Sequence, residues 1–71
     1  MSRFVCNLKK YRQLAGLTQE ELANMVRVRR ETIVRLEAGK YSPSLELAMD
    51  IAKAVNAPLN EIFVFEEPQK Q

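Results

Sequence analysis

Histidine is absent from this chain, and Cys6 is its one cysteine. These shortages exclude disulfides within the chain and zinc sites assembled from His and Cys pairs. There is also no glycine-rich loop, so general-base, nucleophile and phosphate-cradle constellations are all missing. Glu20 and Glu21 are adjacent carboxylates, but neighbours on a helix do not face each other. They read as solvated acids at a helix start. An enzyme is therefore not expected, nor is a metal, a cofactor or a small-molecule ligand. Nothing approaches the roughly 20 apolar residues of a membrane span, and no signal-peptide pattern opens the sequence. A lone thiol fits a reducing compartment, most simply a cytoplasm.

The 71 residues make one small domain, residues 1–71. A chain of that size buries only about 60% of its unfolded surface, and oligomerisation is the remaining common source of stability. The net charge of +2 conceals an asymmetry. Residues 1–40 carry nine Lys/Arg against four Glu, whereas residues 41–71 carry two Lys against five acids. One face is thus suited to an anionic partner and another to something else.

Five short helical segments are legible. Asn7 is placed to cap a first helix whose apolar positions are Leu8, Tyr11, Leu14 and Ala15, with Gly16 ending it. Thr18-Gln19-Glu20-Glu21 is a capping box, and Leu17 with Leu22 makes a hydrophobic staple around it. Leu22, Ala23 and Val26 form the buried stripe of that second helix. A third runs from about Arg29 to Glu37 and stops at Gly39. Ser44 caps a fourth, which carries Leu45, Ala48, Ile51, Ala52 and Val55 inward and ends at Asn56. Pro58 suits the first turn of a fifth, through Leu59 and Ile62. Phe63-Val64-Phe65-Glu66 reads as a strand, and a lone strand needs a partner. Candidates are Phe4-Val5, the same strand in a second subunit, or both.

The third helix is the most informative. At about 100° per residue, Ile33 and Leu36 define its buried side. Glu31, Val34, Arg35 and Ala38 point away, with Arg30 on the flank. The outward surface is a valine between arginines. Such a surface suits a DNA major groove, where an apolar branch meets a thymine methyl and Arg donates twice to guanine. An ordinary solvated face is the alternative, with Glu31 and Arg35 as an i, i+4 ion pair. Gln19, at the start of the second helix, and Lys40, Tyr41 and Ser42, just past the third, flank this surface and suit phosphate contact.

The stretches Leu17-Thr18-Gln19-Glu20-Glu21-Leu22-Ala23, Arg30 through Lys40, and Pro43-Ser44-Leu45-Glu46-Leu47-Ala48 resemble the helix-turn-helix family of lambdoid phage repressors and Cro. The match covers about residues 7–63. The resemblance implies an all-α fold, a five-helix repressor-like DNA-binding domain here followed by a short C-terminal strand, with the third helix as reader of double-stranded DNA. It places Arg29, Arg30, Glu31 and Arg35 where such proteins contact bases or nearby phosphates, and with Val34 from the outward face the expected base readers are Arg30, Glu31, Val34 and Arg35. It implies backbone contact by Gln19, Arg29, Thr32, Lys40 and Tyr41, and a structural ion pair between Arg12 and Glu37. Three positions depart from the family's usual residues. Arg27 and Arg29 stand where glycine and serine are usual, and Pro58 where serine is frequent. A positive φ at Arg27 would cost roughly 1 kcal/mol.

Residues 63–67 look like the dimerisation tail of the smallest regulators in this family, with Phe63, Val64 and Phe65 as contacts. The expectation is a homodimeric, sequence-specific DNA-binding regulator, a repressor, in the cytoplasm. The competing reading is an antitoxin or adaptor whose tail binds another protein. The modest net charge disfavours a nonspecific nucleoid protein.

Overall fold

A computed structural model of the chain describes residues 3–66, with side chains described for residues 5–64. The order is β1 (Arg3–Cys6), α1 (Leu8–Leu14), α2 (Gln19–Met25), α3 (Arg30–Glu37), α4 (Leu45–Val55), α5 (Leu59–Ile62) and β2 (Phe63–Glu66). Glu67, the last residue of the expected tail, lies outside the described residues, as does the side chain of Phe65.

Four helices end in the same hydrogen-bond pattern. After α1, Gly16 N–H donates to the Gln13 carbonyl and Leu17 N–H to that of Arg12. After α3, Gly39 donates to Leu36 and Lys40 to Arg35. Arg27 and Val28 repeat this after α2, and Asn56 and Ala57 after α4. The closure satisfies carbonyls that a helix end leaves unpaired, and it requires one residue in the left-handed region. Gly16 and Gly39 take that conformation, at φ of 75° and 73°, without a Cβ penalty. Asn56 (55°) and Arg27 (63°) take it as side-chain-bearing residues.

The helix starts are less uniform. Thr18 accepts from the Glu21 amide (3.0 Å) while Glu21 Oε1 accepts from the Thr18 amide (2.8 Å), which completes the expected box. Ser44 Oγ accepts from the Leu47 amide, as expected. Asn7 differs. Its backbone, at φ −103° and ψ 21°, lacks the extended geometry of a side-chain cap, and no cap bond forms. Asn7 instead reaches the other end of the chain, its amide donating to the Ile62 carbonyl (2.7 Å) and its side chain to that of Glu61 (3.1 Å). Pro58 precedes α5 as its N-cap rather than entering its first turn.

Leu8, Leu22, Ile33, Leu36, Ile51 and Ile62 are fully buried, and one comes from each of α1, α2, α4 and α5 with two from α3. Each such side chain contributes about 1.5–3 kcal/mol relative to exposure. Two leucines expected inside are not. Leu14 is 74% exposed, because the inward stripe of α1 centres on Leu8, Tyr11 and Arg12, and Leu14 lies about 240° round from Leu8. Leu45, in the first turn of α4, is 69% exposed, and Leu47 packs against the core in its place.

β1 and β2 pair antiparallel, with Phe4 opposite Phe65, Val5 opposite Val64 and Cys6 opposite Phe63. Of the partners open to the C-terminal strand, the N-terminal one is realised within the chain. Beside it, the Tyr11 hydroxyl donates to Glu61 Oε1 (3.0 Å), tying α1 to α5. That bond to a carboxylate pushes the Tyr11 phenol above its usual pKa. Cys6 is half-buried, and burial pushes its thiol up as well.

Candidate nucleic-acid interface

Glu37 organises the junction of α1, α2 and α3. Its Oε2 accepts from Arg12 Nε at 2.6 Å and its Oε1 from Arg12 Nη2 at 3.3 Å. A third donor, Gln19 Nε2, reaches the same Oε1 at 3.1 Å. Arg12 Nη1 donates to the Leu17 carbonyl at 2.8 Å. Both side chains of the ion pair are less than a tenth exposed. A buried pair is weak evidence for stability, but removing one partner leaves an uncompensated charge at about 3–5 kcal/mol. The Arg12–Glu37 ion pair implied by the resemblance is therefore present, bidentate and supplemented by Gln19.

From this anchored base α3 turns Ile33 and Leu36 inward, both fully buried. Arg30, Glu31, Val34 and Arg35 are exposed, and Thr32 is half-buried beside the core residue Ile33. Val34 is 40% exposed, so the outward face carries an apolar branch between arginines. Among the described residues no ion pair joins Glu31 to Arg35, which leaves both available to a partner. Arg29 is exposed at the N-cap of α3 and makes no cap bond. The start of α3 thus carries the exposed charges of Arg29, Arg30 and Glu31, with the Thr32 amide donating to the Arg29 carbonyl at 2.9 Å.

Gln19, Lys40 and Tyr41 flank this face. Lys40 and Tyr41 are exposed just beyond the end of α3, with Tyr41 41% exposed. Gln19 is half-buried, and besides its bond to Glu37 its Oε1 accepts from Arg30 Nη2 at a long 3.4 Å. A shallow groove lined by Arg12, Thr18, Gln19, Glu20 and Arg30 runs across the junction. Sequence spacing placed Gln19 at this surface but gave no sign that its amide is tied to Glu37. The residues lie 18 positions apart, on different helices. Only the Arg12–Glu37 resemblance hinted that a carboxylate stood nearby.

Arg27 lies on another flank. It lines a groove with Met25, Val28, Glu46, Asp50 and Lys53, between the end of α2 and α4. Of the expected dimerisation residues, Phe63 and Val64 are half-buried, and Phe63 packs against the core. Among the described residues no helix is long and apolar enough to cross a membrane.

Residues 8–62 match the family model described as Helix-turn-helix. An uncharacterized HTH-type transcriptional regulator of Archaeoglobus fulgidus is 55% identical over 62 residues, 87% of each chain. One from Methanocaldococcus jannaschii is 48% identical over 62 residues, 87% of this chain and 94% of that protein. Among solved structures, the clp gene regulator ClgR from Corynebacterium glutamicum aligns with a TM-score of 0.73 at 31% identity, covering 78% of this chain. This chain spans 58% of that ClgR structure. The restriction-modification controller protein C.AhdI from Aeromonas hydrophila aligns with a TM-score of 0.72 at 30% identity, covering 79% of this chain and 85% of that one. With its helix pair, its buried Arg12–Glu37 anchor and relatives named as transcriptional regulators, the chain belongs to the Cro/CI-type helix-turn-helix family of DNA-binding regulators.

Proposed function

We propose that the chain is a homodimeric, cytoplasmic repressor that recognises a specific double-stranded DNA sequence by laying α3 in the major groove. The observation that carries this reading is the outward face of α3: Arg30, Glu31, Val34 and Arg35 are exposed together on a helix whose other side is locked into the core. In the groove Arg30 and Arg35 donate to guanine edges, Val34 meets a thymine methyl, and Glu31 accepts from cytosine N4. Phosphate contact falls to the side chains of Gln19, Arg29, Thr32, Lys40 and Tyr41.

Homodimerisation is supported by the sheet. Two strands of four residues each are marginal in water, so a second copy that extended the sheet would add stability. A second copy added along Phe63-Val64-Phe65 extends the sheet and sets two α3 helices about 34 Å apart, one turn of DNA. A dimer seated on a promoter blocks transcription by occupying the DNA, which is the basis for the repressor assignment.

Selection of duplexes from a random pool, combined with a salt titration of the winner, tests this reading. The expected result is a twofold-symmetric site whose binding falls steeply with salt. Equal affinity for every sequence would sink it. Size measurement separates the competing adaptor reading, in which the chain remains monomeric until it meets a different polypeptide.

A further inference from the structure

The groove between the end of α2 and α4 has a volume of about 700 Å³ and shares no residue with the outward face of α3. Its floor is apolar: Val26 is buried, and Val28, Leu47 and Ala54 are half-buried. Met25 also lines it and is 54% exposed. Charge of opposite sign enters from the two sides. Arg27 comes from the turn after α2, and the exposed Glu46 and Asp50 come from α4, with Lys53 about one turn beyond. Among the described residues none of these four side chains pairs with another. Arg27 holds, at φ 63°, the left-handed conformation that Gly16 and Gly39 hold without strain. A strained arginine with no partner inside the chain points to one outside it.

We infer that this groove is an interaction surface for an amphipathic helix of another protein, one whose apolar stripe is flanked by two basic side chains a turn apart. Glu46 and Asp50 are four residues apart on α4, so they lie on one side of it at the spacing of a helical turn. Basic residues at i and i+4 of an incoming helix meet both, while its apolar stripe covers Val26, Val28 and Leu47. An acidic residue on the opposite flank meets Arg27. From Glu46 to Lys53 the groove follows α4 for about 10.5 Å, two turns, enough for two apolar anchors. DNA is not the occupant, because Glu46 and Asp50 repel phosphate. A second copy of the chain fits poorly. Among the described residues only α4 exposes two large apolar side chains one turn apart, Leu45 and Met49, and the neighbouring Glu46 and Asp50 carry the wrong sign. The groove borders the turn into α3 yet leaves the outward face of α3 free, so the partner is held without displacing DNA.

Two synthetic helical peptides of about 15 residues test this, both with a leucine stripe and a glutamate on one flank. One carries two lysines a turn apart on the other flank, and its control carries glutamates there. The expected result is that the lysine peptide binds about tenfold tighter than the control at low salt. Shifted amide signals should be confined to residues 25–28 and 44–54, the two sides of the groove. The double variant Glu46→Lys/Asp50→Lys should invert the preference. Arg27→Gly, which keeps the left-handed turn, should weaken the lysine peptide several-fold, and thermal midpoints show that both variants stay folded. Equal affinity for the two peptides, no binding at millimolar concentration, or amide shifts centred on β2 would overturn the inference. So would dilution shifts at the same amides in the peptide-free protein, which would put a second copy in the groove. Binding of the lysine peptide should be equal with and without a bound duplex, and mutual displacement would overturn the independence of the two faces. The peptide measurements on free protein need no DNA, so their failure is distinct from failure of the DNA-binding reading.

Discussion

At the start of α2, Thr18 and Glu21 satisfy each other's amides, and Glu20 and Glu21 set negative charge against the positive end of the helix. At the start of α3, Arg29 occupies the cap position with no side-chain bond, and Arg29 and Arg30 add positive charge that Glu31 offsets only in part. The two helices are neighbours of similar length, yet one start is capped by a side chain and the other is not. Each element of the α3 start lowers the stability of an isolated helix by a few tenths of a kcal/mol to about 1 kcal/mol. The same elements attract a phosphate. α1 and α5 likewise start without a side-chain cap, so it is the arginines at the α3 start, not the missing cap, that set it apart.

The largest way to break this contrast is to release the anchor beneath both helices. Glu37→Ala leaves Arg12 charged and less than a tenth exposed, and should destabilise the protein by about 3–5 kcal/mol in urea denaturation. Next come the exposed arginines. Arg30→Ala and Arg35→Ala should each reduce discrimination at one base pair by about 1–3 kcal/mol, read from competition binding, while leaving the thermal midpoint nearly unchanged. The contrast itself is tested by a pair of cap variants. Thr18→Ala should cost about 1 kcal/mol of stability, with DNA affinity preserved at temperatures where the protein stays folded. Arg29→Ser should do the opposite, gaining about 1 kcal/mol in denaturation while flattening the salt dependence of DNA binding by about one unit of slope. If both variants shift stability and affinity in the same direction, the division between the two helix starts is wrong. The smallest effect is expected at the turn between them. Arg27→Gly relieves a left-handed arginine but adds freedom to the unfolded chain, so the net gain should be under about 1 kcal/mol.

Much of this architecture was legible because it is written in short-range patterns. The Thr18–Glu21 box, the Ser44 cap, the stops at Gly16, Gly39 and Asn56, and the buried pair Ile33 and Leu36 all depend on residues within a few positions of one another. The positive φ of Arg27 was legible through resemblance alone, since arginine has no local preference for that conformation. What was misread depends on distant partners. Asn7 has the chemistry of a cap, but Glu61 and Ile62 occupy it from the far end of the chain. Leu14 and Leu45 fit an apolar spacing but sit at helix ends, where one step of rotation carries them past the edge of the core. The Gln19–Glu37 bond had no sequence signal, because an amide and a carboxylate on separate helices leave no periodic trace.

The pairing of Arg3–Cys6 with Phe63–Glu66 also bears on how the chain acquires its fold. Helices α1 to α4 consist of local contacts and can form as each segment leaves the ribosome. β1 is made first and waits longest, because its partner is the last described element to emerge. Closing so long a loop adds entropy that local helix formation does not face. The sheet is therefore the final described piece to assemble during synthesis, after the helices it joins end to end.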